Sequence, residues 1–368
     1  MEKIAVLGIG KLGICMALHL DQAGYAVLGV DLDPSYVDQV NQRSLASSEP
    51  GVEEALQEAK TLRATTDIRQ LIQEDIDVLF ILVATPSTPE GGYDHSQIER
   101  VTHGLIQLGP ATRTRHLVIG CTTMPGYCDQ LAEKMSPFNY TVSYNPEFIA
   151  QGRIMYDLVH PDQVLIGEAN TKIGERLEKL YGQLCRNQPQ VHRMDRKSAE
   201  ITKLATNCFL TTKISFANSI GDLATKAGAD PDKILAAIGS DSRIGTKYLN
   251  YGFGFGGPCF PRDNRALGVF AEETDYELLI GQATDEVNRR HLDFQLQQWL
   301  RQYAEEESIV FESVTYKPDS ILLVESQQLA LAVALARSGR KVVVRERKVI
   351  VEQLETQYPG LFQLEVRR

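Results

Sequence analysis

At 368 residues the chain is long enough for two or three domains, each burying a sizeable core. Hydrophobic content of 43% and charged content of 23% are ordinary for a globular protein. A net charge of -10 argues against a sequence-independent grip on nucleic acid, which needs clustered Lys and Arg, and the longest apolar run, residues 78–84, is too short to cross a bilayer. The six cysteines (Cys15, Cys121, Cys128, Cys185, Cys208, Cys259) show neither a CxxC pair nor disulfide-like spacing, and the sequence opens directly on a strand pattern. Both features point to a reducing, cytoplasmic setting. Seven histidines are scattered without ligand spacing, and no metal is expected.

The first predicted strand, residues 3–7, leads into Gly8-Ile9-Gly10-Lys11-Leu12-Gly13 and an apolar-periodic helix to about residue 23. A second strand, 26–30, ends in Asp31, 18 positions after Gly13. This strand–turn–helix–strand unit with a terminal acid is a dinucleotide fingerprint. Gly8 serves the tight turn, Gly10 the approach of a pyrophosphate, and Gly13 the packing of helix on strand. Asp31 would accept hydrogen bonds from a ribose and repel a 2′-phosphate, which selects NAD over NADP.

Further strands are predicted at 77–84, 116–121, 140–144 and 163–167, giving a Rossmann-type parallel sheet. Thr85-Pro86, Thr122-Thr123 and Asn145-Pro146-Glu147 follow three of them and would gather at the carboxyl edge, where such folds bind ligands. From 198 to about 227 the pattern is helical without interruption until Gly221, as expected for the spine of a helical, dimerising middle domain. Lys203 and Asn207 stand four apart on one face of it, although an isolated pair of this kind is ordinarily a solvated Lys beside a neutral Asn. More helix is predicted over 231–237 and from 278 to about 303. A smaller α/β tail follows, with strands at 308–313 and 341–345 around a helix at 326–338.

Before that tail lies the glycine-rich run GFGFGGPCFPRD, residues 252–263. It sets Cys259 at the predicted start of a helix, whose unpaired N–H groups favour a thiolate, the form that attacks carbonyls. A lone cysteine is also commonly a small buried hydrophobe.

In order, GIGKLG, VDLD, EPGVEEAL, VATPSTPEGG, TTMPG, YNPEFIAQG, AEITKLATNCFL, RIGTKYL, GFGFGGPCFPRD and TYKPD resemble the motifs of the UDP-glucose/GDP-mannose dehydrogenase family, through about residue 318. The resemblance implies an NAD-binding Rossmann domain (1–195), a helical dimerisation and catalytic domain (196–303) and a shortened C-terminal Rossmann-like domain (304–368). It implies oxidation of a nucleotide sugar's primary alcohol to a carboxylate, with two NAD consumed in turn. Cys259 would capture the intermediate aldehyde as a thiohemiacetal that is oxidised to a thioester. Lys203 and Asn207 would stabilise oxyanions. Asp263, helped by Thr123, would position water, and Glu147 would act as general base. The cofactor would meet Gly8 through Gly13, Asp31, Thr85, Pro86 and Thr123. The substrate would meet Glu147, Phe148, Lys203, Asn207, Tyr248, Phe255, Gly256 and Lys317, and Arg243 would reach it from the partner subunit of a homodimer.

Three positions depart from the family pattern. Gln151 replaces a glutamate, Arg262 a lysine, and Val324 an arginine expected at the cofactor. UDP-glucose is the default substrate, with GDP-mannose or UDP-N-acetylhexosamines open. The altered tail also leaves open another activated sugar or alcohol, or a non-catalytic NAD-binding homologue.

Overall fold

The computed structural model describes residues 2–150, 152–317 and 320–367. Gln151, Pro318 and Asp319 lie outside the described residues. The chain divides into two units, Met1–Lys203 and Leu204–Arg368.

In the first unit, eight strands form one sheet: β1 (Lys3–Leu7), β2 (Ala26–Val30), β3 (Arg63–Thr65), β4 (Val78–Ile81), β5 (Arg115–Ile119), β6 (Tyr140–Tyr144), β7 (Gln163–Gly167) and β8 (Gln190–Met194). Their order is β3-β2-β1-β4-β5-β6-β7-β8, so the first six follow the dinucleotide-binding order 3-2-1-4-5-6. These six pair in parallel, β7 turns antiparallel at Tyr144↔Gly167, and β8 runs parallel to β7. The central strands read as unbroken apolar runs because both faces are covered. Alternate residues feed opposite cores. Ile4, Val6 and Phe80 pack with Ile14 and Leu18 of helix Lys11–Gln22, while Ala5, Leu7, Leu79 and Ile81 pack with Ile98, Leu105 and Leu131. The predicted strands hold, with ends moved by up to three residues. β3 and β8 were not expected from the sequence, because one has only three residues and the other, QVHRM, is polar and lies at the sheet edge.

The second unit carries most of the central helix, Arg196–Lys226, followed by helices Pro231–Gly239, Phe260–Glu273 and Leu279–Gln302. A small parallel sheet closes it, in the order β11-β10-β9, from β9 (Ser308–Phe311), β10 (Lys341–Glu346) and β11 (Gln363–Val366). Its core joins Ile309 and Phe311 to Leu331 and Leu335 of helix Gln327–Arg337, Val342 and Val344, and Ile350 and Leu354 of helix Lys348–Gln357.

One buried acid ties helix to sheet in the first unit. Asp21, 4% exposed, accepts N–H bonds from Lys60 (2.9 Å), Thr61 (2.6 Å) and Leu62 (2.9 Å), and the Thr61 hydroxyl at 2.5 Å. Burial alone would raise its pKa, but the Thr61 hydroxyl and the three N–H donors together hold it below the usual carboxylate value. A depressed folded-state pKa contributes stability above the unfolded value, and that stability is lost as pH falls through the folded one. Asp21→Ala is therefore expected to cost about 3 kcal/mol in urea unfolding at pH 7, since three backbone donors and a hydroxyl lose a charged acceptor. The deficit should shrink as the pH drops below the carboxylate range, and a deficit that does not change with pH would refute the ionised role.

Candidate active site

At the carboxyl end of β1 the chain turns through Gly8, whose N–H donates to Val30 O at 2.8 Å. A Cβ on Gly13 would fall 1.9 Å from Gly8 O, so helix Lys11–Gln22 can approach the strand this closely only with glycine there. Nothing lies within 4 Å of a Cβ position on Gly10, which leaves open space over the turn. Asp31 follows β2. It accepts from Ile9 N at 3.0 Å through Oδ2 and from Asp33 N at 3.2 Å through Oδ1. The open face of Gly10, the start of a twelve-residue helix and a carboxylate one strand away suit a dinucleotide pyrophosphate and an unphosphorylated ribose. Lys11 turns to Glu49, 3.6 Å away, whose buried carboxylate also takes Gly152 N and Ile154 N. Thr85 is buried and Pro86 exposed after β4.

Beyond β5, Thr123 is fully enclosed and its hydroxyl donates to Glu200 Oε1 at 2.8 Å. Glu200 also accepts Cys128 N at 2.9 Å and Gly126 N at 2.6 Å, which caps helix Tyr127–Met135. Burial raises the Glu200 pKa against the pull of these donors. The Thr123 hydroxyl proton is thus committed inside the protein. Glu200 was not among the residues singled out from the sequence. Its spacing from Lys203 and Asn207, three and seven residues along one helix, was the available signal.

Glu147 lies just beyond β6. Its carboxyl receives Tyr181 Oη at 2.8 Å, while its carbonyl oxygen accepts Lys203 Nζ at 2.8 Å. That ammonium stands 4.5 Å from the centre of the Phe148 ring. Burial pushes the Glu147 carboxyl up to about 7, with Tyr181 and the Lys203 charge opposing it. A group balanced near neutrality can take or give a proton at working pH.

In the second unit, Cys259 stands at the N-cap of helix Phe260–Glu273 and is exposed, whereas the other five cysteines are buried. Asp263, 2% exposed in the first turn, donates its backbone N–H to Cys259 O at 2.9 Å and accepts the Asn207 side-chain N–H. The glycine run before Cys259 is held by amides. Asn288 binds Phe255 at both N (2.9 Å) and O (3.0 Å), and Asn218 binds Gly252 N (3.1 Å) and Phe253 O (3.3 Å). His291 reaches Gly252 O at 2.6 Å. Gly257, at φ +83°, donates to Val324 O at 3.0 Å, and a Cβ on Gly256 would fall 2.1 Å from Glu325 O. The exposed Val324 thus supports the cysteine loop through its backbone. Tyr316 packs its ring on Gly257, and burial first, then Cys259, raises its pKa. Lys317 Nζ lies 5.8 Å from that ring.

Tyr248 is exposed at φ 63°, edge-on to Phe260, and Phe255 is buried. Arg243 forms an exposed two-point pair with Asp241. Among the described residues, no group of three or more His, Cys, Asp or Glu is arranged to hold a metal ion.

Comparison with known proteins gives the family of both segments. Residues 2–185 match the NAD binding domain, and residues 197–290 the central domain, of the UDP-glucose/GDP-mannose dehydrogenase family. The chain is 33% identical to a UDP-glucose 6-dehydrogenase of Pseudomonas aeruginosa, over 92% of this chain and 78% of that one. It is 32% identical to a GDP-mannose 6-dehydrogenase of the same organism, over 75% and 65%. Among solved structures, a UDP-glucose dehydrogenase from Pyrobaculum islandicum superposes with a TM-score of 0.87 at 29% identity, covering 100% of this chain and 86% of that one.

Exposure of a single cysteine has a direct chemical consequence. One equivalent of a mild alkylating agent should label the native protein once, at Cys259, by intact mass. The label should disappear in Cys259→Ser, and labelling at any of the five buried cysteines before unfolding would contradict the structure.

Proposed function

Because this chain belongs to the UDP-glucose/GDP-mannose dehydrogenase family of NAD-dependent oxidoreductases, we propose that it oxidises the C6 primary alcohol of a nucleotide-activated hexose to the carboxylate, with UDP-glucose as the first substrate to test. The observation that carries this reading is Cys259, exposed at a helix N-terminus inside the matched central domain.

NAD would be held by the turn from Gly8 to Gly13 and by Asp31, and two NAD bound in turn would each accept one hydride over the whole reaction. The protein's own residues then have four tasks. Cys259 sulfur forms a C–S bond to the aldehyde carbon, so the intermediate stays attached between the two oxidations. Lys203 spends one N–H on the Glu147 carbonyl and keeps two for the developing oxyanion. Asn207 gives one amide N–H to Asp263 and would offer the other to an oxyanion. Glu147 takes a proton from the water that hydrolyses the thioester, breaking the C–S bond and releasing the thiol. In this reading Thr123 acts through its loop, because its hydroxyl is already engaged by Glu200.

Relatives named for UDP-glucose and for GDP-mannose have nearly the same identity over their matched residues, 33% and 32%, so identity alone does not choose the base, although the UDP-glucose relative is matched over more of the chain. The altered tail after Lys317 supports a second reading, in which the same chemistry acts on a different activated sugar or alcohol. Cysteine usage supports a cytoplasmic location, and among the described residues no helix is long and apolar enough to cross a membrane.

Phe209, Phe216 and Leu223 are exposed at intervals of seven along the central helix. This stripe supports a homodimer formed by two copies of that helix, from which Arg243 of one copy would serve the other's substrate. Phe216→Glu should therefore shift sedimentation from dimer to monomer, and an unchanged sedimentation coefficient would remove this seam.

With saturating NAD and UDP-glucose, two NADH should appear per sugar consumed, and mass spectrometry should find the uronate. Cys259→Ser should lower acid formation by about 10³-fold or more. One NADH per sugar would indicate a simple alcohol dehydrogenase, no NADH with any nucleotide sugar a binding protein, and normal acid formation by the serine variant would exclude the covalent route.

A further inference from the structure

A tyrosine hydroxyl carries one hydrogen, and Tyr181 has two oxygen acceptors within reach of it. Its Oη lies 2.6 Å from Asn145 Oδ1 and 2.8 Å from Glu147 Oε1. Asn145 is fixed in this orientation because its Nδ2 donates to Leu165 O at 2.9 Å. Tyr181 and Asn145 are both buried, at 3% and 2% exposure, so bulk water does not serve either group. Both short contacts are hydrogen bonds at once only when Glu147 contributes a hydrogen of its own. Glu147 then donates to Tyr181 Oη, and the tyrosine donates to Asn145. Once Glu147 is ionised the hydroxyl has to turn to the carboxylate, and the Asn145 oxygen is left facing another oxygen.

On the reading of Glu147 as the acid–base group of this dehydrogenase, we propose that Tyr181 is a positioning residue whose hydroxyl alternates between Asn145 and Glu147. Glu147 thereby keeps a hydrogen bond both when it holds its proton and when it has released it. The exchange needs only rotation of the hydroxyl about its C–O bond. No heavy atom moves, and the carboxyl stays in one place through a proton-transfer cycle. Asn145 is the resting acceptor that allows the tyrosine to give up the carboxylate without becoming an orphaned buried donor.

Among the described residues, three ionisable groups face this carboxyl. Tyr181 and Cys185 come from helix Thr171–Leu184 and its C-cap, and Lys203 from the central helix. Burial, then the Glu147 charge, pushes the Cys185 thiol up to about 11, so it stays neutral near pH 7. Burial raises Tyr181 well above the ordinary tyrosine value, which keeps its single hydrogen in place. Lys203 favours the ionised carboxylate and burial the neutral acid, which leaves the hydroxyl to respond to either state.

An infrared difference titration of the full chain without substrate reads this carboxyl directly. It is independent of turnover, so its outcome separates this inference from the dehydrogenase reading. A protonated-carboxyl band should titrate near neutral pH and vanish in Glu147→Gln. A tyrosine ring band should shift at the same midpoint. In Tyr181→Phe the ionised form loses its hydroxyl donor, so the carboxyl midpoint should rise by about one unit. The acid limb of kcat should move to higher pH with it, while KM for NAD stays unchanged. A midpoint that does not move in Tyr181→Phe overturns the inference. Should that variant fail to fold, the other two proteins still decide the matter. A wild-type tyrosine band that ignores the carboxyl midpoint, or one that still shifts in Glu147→Gln, overturns it equally.

Discussion

In the first unit, strands β1 to β6 all point the same way, and the chemistry of that unit depends on this parallel register. The carboxyl ends of these strands all open on one edge of the sheet. The glycine turn, Asp31, Thr85, the loop of Thr123 and Glu147 are separated by as many as 139 positions, from Gly8 to Glu147, yet they share that edge. The register is held by side chains on both faces, since Ile4 and Val6 fill one core while Ala5 and Leu7 fill the other. A slip of one residue would exchange the two sets.

The two units hold their loops by different chemistry. In the first, buried carboxylates do it. Asp21 gathers the N–H groups of residues 60–62, Glu49 those of Gly152 and Ile154, and Glu200 those of Gly126 and Cys128. A carboxylate only accepts, so it suits a loop that presents N–H groups in succession. In the second, the run from Gly252 to Phe255 presents N–H and C=O groups together, and the amides of Asn218 and Asn288 satisfy both kinds. A glycine-rich segment with little side-chain packing of its own is ordered in this way before it reaches Cys259.

The acids also differ in how fully they are satisfied. Asp21, with four donors, is pulled below the usual carboxylate range in spite of its burial. At Glu147 desolvation outweighs the Tyr181 hydroxyl and the Lys203 charge, and the carboxyl sits near neutrality. Asp21 thereby holds a permanent charge, and Glu147 a movable proton. Desolvation and the number of donors together decide which.

The strand–turn–helix unit at the N-terminus was legible because it rests on local requirements. Alternating apolar residues, a glycine where a Cβ would strike Gly8 O, and an acid at the end of β2 each leave a mark within about 30 residues. The helix that starts at Phe260, with Pro261 in its first turn, was readable for the same reason. β3 and β8 were not, since three residues, or an edge strand of mixed polarity, carry no period to detect. Nor did pattern reveal Glu200 beside Thr123, 77 positions away, or Tyr181 beside Glu147, 34 positions away. A single polar residue has no periodicity, and its partner is chosen only when helices dock on the sheet. The residue types able to perform the chemistry were therefore set by the sequence alone. Which proton each of them holds, and which N–H remains available, was decided by tertiary packing, because desolvation and hydrogen-bond geometry exist only in the folded chain.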